Sequence, residues 1–114
     1  MIDIKATDRI NKAVLDEFRK ITKEHGMKYH STHEGYGVLL EEVQECSEEV
    51  QRMGVQLEAL WIMIRSDDNE RLYDQLEIIR QFALSCAEEA VQVAAVCEKF
   101  KETMTAREIF GEKK

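Results

Sequence analysis

Glu42-x-x-Glu45 and Glu89-x-x-Gln92 put oxygen-bearing side chains three residues apart on two segments that both read as helix. Side chains three apart on an α-helix share a face. Two such pairs on packed helices would therefore converge four oxygen donors on one point. Mg²⁺, or alternatively Mn²⁺, takes hard oxygen ligands of this kind while also holding substrate phosphates. Glu89 projects among Phe82, Val93, Val96 and Phe100 on a helical wheel. A carboxylate with those neighbours is costly to bury unless it is paired or bound to a metal. A plainer reading stays open beside this one. Glu41, Glu42, Glu45, Glu48 and Glu49 also suit an ordinary acidic helix surface, and Glu89 an inter-helix hydrogen bond.

Three helices have to position these groups. Thr7-Asp8 is a plausible cap for the first, which runs to about Glu24 on the stripe Ile10, Val14, Phe18 and Ile21, with His25-Gly26 as its stop. Ser31-x-x-Glu34 is a capping-box pattern that opens the second. Its stripe is Tyr36, Leu39, Leu40, Val43, Cys46, Val50, Met53, Leu57, Leu60, Trp61 and Ile64, a helix about 50 Å long. Gly54 is a candidate kink or break within it. Ser66-Asp67-Asp68-Asn69 forms a turn, and Asp67-x-x-Glu70 offers a second capping box.

The third helix carries Leu72, Leu76, Ile79, Phe82, Ala83, Cys86, Ala90, Val93, Ala94, Cys97 and Phe100. Thr105-x-x-Glu108 suggests one more turn before a charged tail. The expected fold is all-α: three long antiparallel helices in a bundle, plus a short C-terminal turn or helix. Around Ala90 to Val96 the third helix is apolar on more than one side. So small a monomer leaves that surface uncovered, which predicts a homodimer, a homotetramer or another helical assembly.

Composition narrows the function. The formal charge of −7 argues against a nucleic-acid partner or an anionic membrane, either of which needs a basic face. It leaves a nucleotide possible, because a bound divalent cation reverses the local sign. Cys46, Cys86 and Cys97 form no CxxC and read as small buried hydrophobes of a reducing compartment. No signal peptide and no membrane-spanning run is evident, so a soluble, cytoplasmic protein is expected. His30 and His33 flank the start of helix 2 without a further ligand nearby, which suits a cap better than a metal pair. His33 could still touch an anionic substrate at the helix N-terminus. Trp61 and Tyr73 read as core or interface aromatics rather than base-stacking platforms.

The segments Glu34-Gly-Tyr-Gly-Val-Leu-Leu-Glu-Glu-Val-Gln-Glu45 and Ala87-Glu-Glu-Ala-Val-Gln-Val-Ala-Ala95 carry a resemblance. Together they look like the MazG-like all-α nucleoside triphosphate pyrophosphohydrolases, in particular the short phage and Gram-positive type. That family holds Mg²⁺ with EExxE on one helix and ExxD on the next. Glu41-Glu42-x-x-Glu45 matches the first half, and Glu89-x-x-Gln92 the second with Gln in place of Asp. The resemblance covers roughly residues 31–100, with a longer stretch between the motifs than the family pattern has.

It implies a helical domain over residues 1–104, with 105–114 as a short C-terminal helix or tail. It also implies hydrolysis of a nucleoside triphosphate to monophosphate and pyrophosphate, of the house-cleaning type. Glu42, Glu45, Glu89 and Gln92 would hold the metal, and Glu41 or Glu45 would orient or deprotonate the water. Lys99, with Lys28 and His33 as further candidates, would bind the substrate. The alternative is a non-catalytic MazG-like dimer that binds nucleotide or metal weakly, or a helical protein-interaction module. Replacing Asp with Gln92 removes a negative charge and lowers cation affinity, which favours that alternative.

Overall fold

A computed structural model provides the structure, described for residues 2–104. The turn expected at Thr105-x-x-Glu108 and the tail 105–114 lie outside the described residues. The fold is all-α. Helix α1 spans Ile4–His25, α2 Thr32–Arg65 and α3 Leu72–Thr103, and a 3₁₀ turn, Asn69–Arg71, leads into α3. The described residues contain no strand.

Helix α1 starts three residues earlier than Thr7-Asp8 suggested. Asp3, in extended conformation, is the N-cap: its Oδ1 accepts the Ala6 N–H at 2.9 Å. Thr7 lies inside the helix, where its hydroxyl donates to the Asp3 carbonyl. The stop is as expected. Gly26 has a φ of +91°, a conformation that disfavours a side chain, and its N–H returns to the Thr22 carbonyl.

The capping box at the start of α2 forms with one change of partner. Ser31 Oγ accepts the Glu34 N–H at 3.1 Å, whereas the Glu34 carboxylate accepts from His30 rather than from Ser31. Gly54 does not interrupt the helix, which runs unbroken from Thr32 to Arg65. Asp67 ends α2 instead of opening α3. It adopts a left-handed φ of +54°, while the Asp67 and Asp68 N–H groups return to the Ile64 and Met63 carbonyls. The expected Asp67-x-x-Glu70 box is therefore not made. Asp68 takes the N-cap position without a capping side-chain bond and accepts from Arg71.

The chain divides into two compact units, Met1–Glu42 with Val91–Lys114, and Val43–Ala90. In the first unit, the Tyr29 N–H donates to Thr103 Oγ1 at 2.8 Å, and that hydroxyl donates to the Lys99 carbonyl. The Tyr29 and Phe100 rings meet edge to face, with centroids 6.5 Å apart. Phe100 in turn lies against Gly35, where a Cβ would come within 2.8 Å of the ring. Both buried apolar residues of the described chain, Ala95 and Val96, belong to this unit. The stretch around Ala90 to Val96 was expected to need a partner; from Val91 to Val96 it is half-buried or buried within the single chain.

The second unit is an antiparallel helical hairpin. Gln75 Nε2 donates to the Gln56 carbonyl at 2.8 Å and to Gln56 Oε1 at 3.0 Å. Gln75 is 5 % exposed, while Leu76, which the expected stripe placed inward, is exposed. The less exposed line of α3 is Leu72, Gln75, Ile79, Phe82, Cys86 and Glu89, in steady three-four steps. On α2 the corresponding line is Leu39, Glu42, Cys46, Glu49, Met53, Gln56, Leu60 and Met63. The expected α2 stripe thus merges two faces. Leu39, Cys46, Met53 and Leu60 face inward, whereas Tyr36, Leu40, Val43, Val50, Leu57, Trp61 and Ile64 are exposed. No apolar residue of this unit is fully buried.

The contrast between two glycines tests the packing. Gly35→Ala should destabilise the protein by about 1–2 kcal/mol, because the Phe100 ring must move and overpacking outweighs the gain in helix propensity. Gly37→Ala, whose Cβ would meet nothing within 4 Å, should stabilise it by about 0.5–1 kcal/mol. Urea denaturation followed by circular dichroism at 222 nm reads both; equal responses would contradict the Gly35–Phe100 contact.

Candidate functional site

Helical spacing puts Glu89 on the inner line of α3, between Cys86 and Val93. Its side chain is half-buried, and its Oε2 is buried with no hydrogen-bond donor within reach. Glu45 of α2 is an exposed residue whose carboxyl group lies beside that of Glu89. A carboxylate oxygen of Glu45 lies within 4.8 Å of one on Glu89 and, one turn back along α2, of one on Glu42.

Two carboxyl groups this close do not both ionise easily. Burial raises the Glu89 pKa above the ordinary carboxylate value, and the charges of Glu45, Glu49 and Glu88 raise it further. Glu49 was not among the expected ligands. It sits half-buried on the inner line of α2, held by Arg52 at 2.6 Å, and adds negative potential beside Glu89. Burial, then Cys46 and Glu49, also push up the Cys86 thiol.

The remaining expected residues are distributed as follows. Glu41 is exposed on α2, and Gln92 is half-buried one turn beyond Glu89 on α3. Lys28 is exposed in the loop between α1 and α2. His33 is exposed in the first turn of α2, beside a shallow open depression that it lines with Thr32 and Tyr36. Lys99 is 3 % exposed, with its Nζ 4.3 Å from the centroid of the Tyr29 ring. A cation over an aromatic face gains electrostatic attraction in a setting that gives it little water.

Tyr29 escaped the sequence reading because nothing local marks a loop tyrosine as the partner of a lysine seventy residues away. Burial raises its pKa, and the charges of Glu42, Glu34 and Cys97 add to this. Trp61 and Tyr73 are exposed, so neither belongs to a core.

Chemically, the cluster around Glu45 gathers negative charge on oxygen donors, the set a hard divalent cation takes. The buried, donorless Glu89 Oε2 fits such an ion. No family model matches the chain, and no curated protein or solved structure matches it. No helix among the described residues is long and apolar enough to cross a membrane.

The raised Glu89 pKa has a signed consequence for stability. A carboxyl group that binds its proton more tightly when folded stabilises the fold below the unfolded-state pKa, and that contribution is lost as pH rises through the folded pKa. In the absence of divalent cations, Glu89→Gln should therefore raise the urea midpoint at pH 7. The difference should vanish below about pH 4, the ordinary glutamate range. A Glu89→Gln variant that is less stable than the parent at pH 7 would contradict the assignment.

Proposed function

We propose that the protein is a metal-dependent nucleotide pyrophosphohydrolase, cleaving a nucleoside triphosphate to monophosphate and pyrophosphate. The observation that carries this reading is the buried Glu89 Oε2, which no protein donor satisfies, beside the carboxyl group of Glu45. The proposed ligands are Glu42, Glu45 and Glu89, with Gln92 contributing a neutral carbonyl oxygen. When bound, Mg²⁺ or Mn²⁺ would neutralise triphosphate charge and polarise the phosphoryl oxygens. Glu45 and Glu89 would have to be ionised to hold the ion, so affinity for it should rise with pH. Glu41, exposed on the same helix, or Glu45 then orients the attacking water or accepts its proton. Lys28 and His33 are exposed side chains proposed to meet the substrate, with Lys99, which is buried against Tyr29, as the further cation.

The resemblance of residues 31–100 to MazG-like enzymes supports the same reading. We further propose that an antiparallel three-helix bundle is completed as a homodimer or homotetramer, for which the exposed apolar residues of α2 and α3 provide the physical reason.

A second reading has a specific observation behind it. Lys99, the cation proposed to meet phosphate, is almost wholly buried against Tyr29, and Gln92 weakens the ligand set. A non-catalytic helical protein that binds metal or nucleotide weakly would carry both features without cost to function.

Pyrophosphate release from a panel of NTPs and dNTPs with Mg²⁺ or Mn²⁺ separates the two. Turnover should require the metal and fall at least about a hundredfold in Glu89→Ala, the usual cost of removing an essential charged ligand. Gln92→Asp should lower the metal concentration needed for half-maximal rate by about tenfold. Metal or nucleotide binding without turnover, unchanged in Gln92→Asp, would move the protein to the second reading.

A further inference from the structure

Helix α2 carries a second line of residues, about a quarter turn from the inner one. Val43, Ser47, Val50, Gly54, Leu57, Trp61 and Ile64 follow one another in alternating steps of four and three, and every one is exposed. None is charged. With Ser47 and Gly54 as small residues among five apolar ones, this 3.5-residue repeat over three heptads has the spacing of a coiled-coil seam. Here it faces outward from a helical hairpin, Val43–Ala90, that buries no apolar side chain completely.

We infer that this seam is an interface with a second copy of the same chain, its α2 running antiparallel. The size pattern selects both the partner and the direction. In an antiparallel pairing each residue of one heptad position faces one of the other position. One register then sets Ser47 against Leu57, Gly54 against Val50 and Trp61 against Val43 of the second copy. The twofold axis generates each of these contacts twice, the self-complementarity that a closed dimer requires.

Every layer combines a larger side chain with a smaller one, and a Cβ at Gly54 meets nothing within 4 Å in the single chain. A parallel pairing would instead leave Ser47 on Ser47 and Gly54 on Gly54 and stack Trp61 on Trp61, two gaps followed by a bulge.

Charge and area agree with this arrangement. The outer flank of the seam reads Gln44, Gln51, Glu58 and Arg65, so no run of like charge opposes a second copy. Val43, Val50, Leu57, Trp61 and Ile64 expose on the order of 500 Å² of apolar side chain. That is close to the apolar share of the roughly 800 Å² each partner buries in a standard interface. This inference specifies the face and direction of the assembly proposed above and does not rest on the hydrolytic activity.

Sedimentation velocity of the full chain, in EDTA and without nucleotide, tests the interface separately from any activity. The parent should sediment as a dimer or a larger even assembly at micromolar concentration. Leu57→Glu replaces two interface leucines per dimer and should raise the dissociation constant at least about a hundredfold.

Mixing separates the two directions and works even if Leu57→Glu folds poorly alone. Leu57→Glu with Ser47→Lys should restore the dimer, because those positions meet only in the antiparallel register. Leu57→Glu with Leu57→Lys should not. A monomeric parent, a dimer indifferent to Leu57→Glu, or rescue only by the Leu57→Lys mixture would overturn the proposal.

Discussion

The structure depends on how two long helices share polar groups on the faces they turn inward. The inner line of α2 alternates Leu39, Cys46, Met53 and Leu60 with Glu42, Glu49, Gln56 and Met63. The inner line of α3 places Gln75 and Glu89 among Leu72, Ile79, Phe82 and Cys86. Such a seam gains less from burial than an apolar one, and each polar group on it needs a partner. Gln75 finds one in Gln56. Glu89 has another carboxyl group beside it and an oxygen that no donor reaches. The hairpin is thus satisfied at one end and electrostatically strained at the other. The strained end is where the site chemistry concentrates.

Much of this was legible in the sequence. The three helical spans, the Gly26 stop and the Ser31–Glu34 box follow from local rules about caps and periodicity, which act within one turn of chain. So does the alignment of Glu42 with Glu45, because three residues along a helix fix their common side. The rest required knowing which face turns inward. Because α2 is apolar on two sides, a single stripe drawn through all its hydrophobic residues merges inner and outer lines. Gln75 and Leu76 are neighbours, and propensity favours burying the leucine; the Gln56 backbone carbonyl decides otherwise. Thr7-Asp8 fits the cap pattern on paper, but the extended conformation at Asp3 and its bond from the Ala6 N–H put the cap there instead.

The same logic separates the candidate site into parts of different standing. Glu42 and Glu45 are placed by helix geometry alone. Glu89 is placed by the pairing of α3 with α2, and its raised pKa is the electrostatic record of that pairing. Lys99 has a different setting, against Tyr29, which a motif search cannot supply. A chain that spends so many inward positions on polar groups has less apolar surface to hold itself together, and exposed hydrophobic residues remain on all three helices, Ile10 and Leu15 on α1, Val50 and Trp61 on α2, and Leu76 and Leu84 on α3 among them.

The bond from the Tyr29 backbone to the Thr103 hydroxyl joins residues 74 apart in sequence. Closing so long a loop costs more conformational entropy than zipping the α2–α3 hairpin, whose turn brings Gln56 and Gln75 together across only 19 residues. The loop carrying Tyr29 is held at the last turn of α3, where helices fray. An opening there would lift the Tyr29 ring from Lys99 and give that buried ammonium back to water.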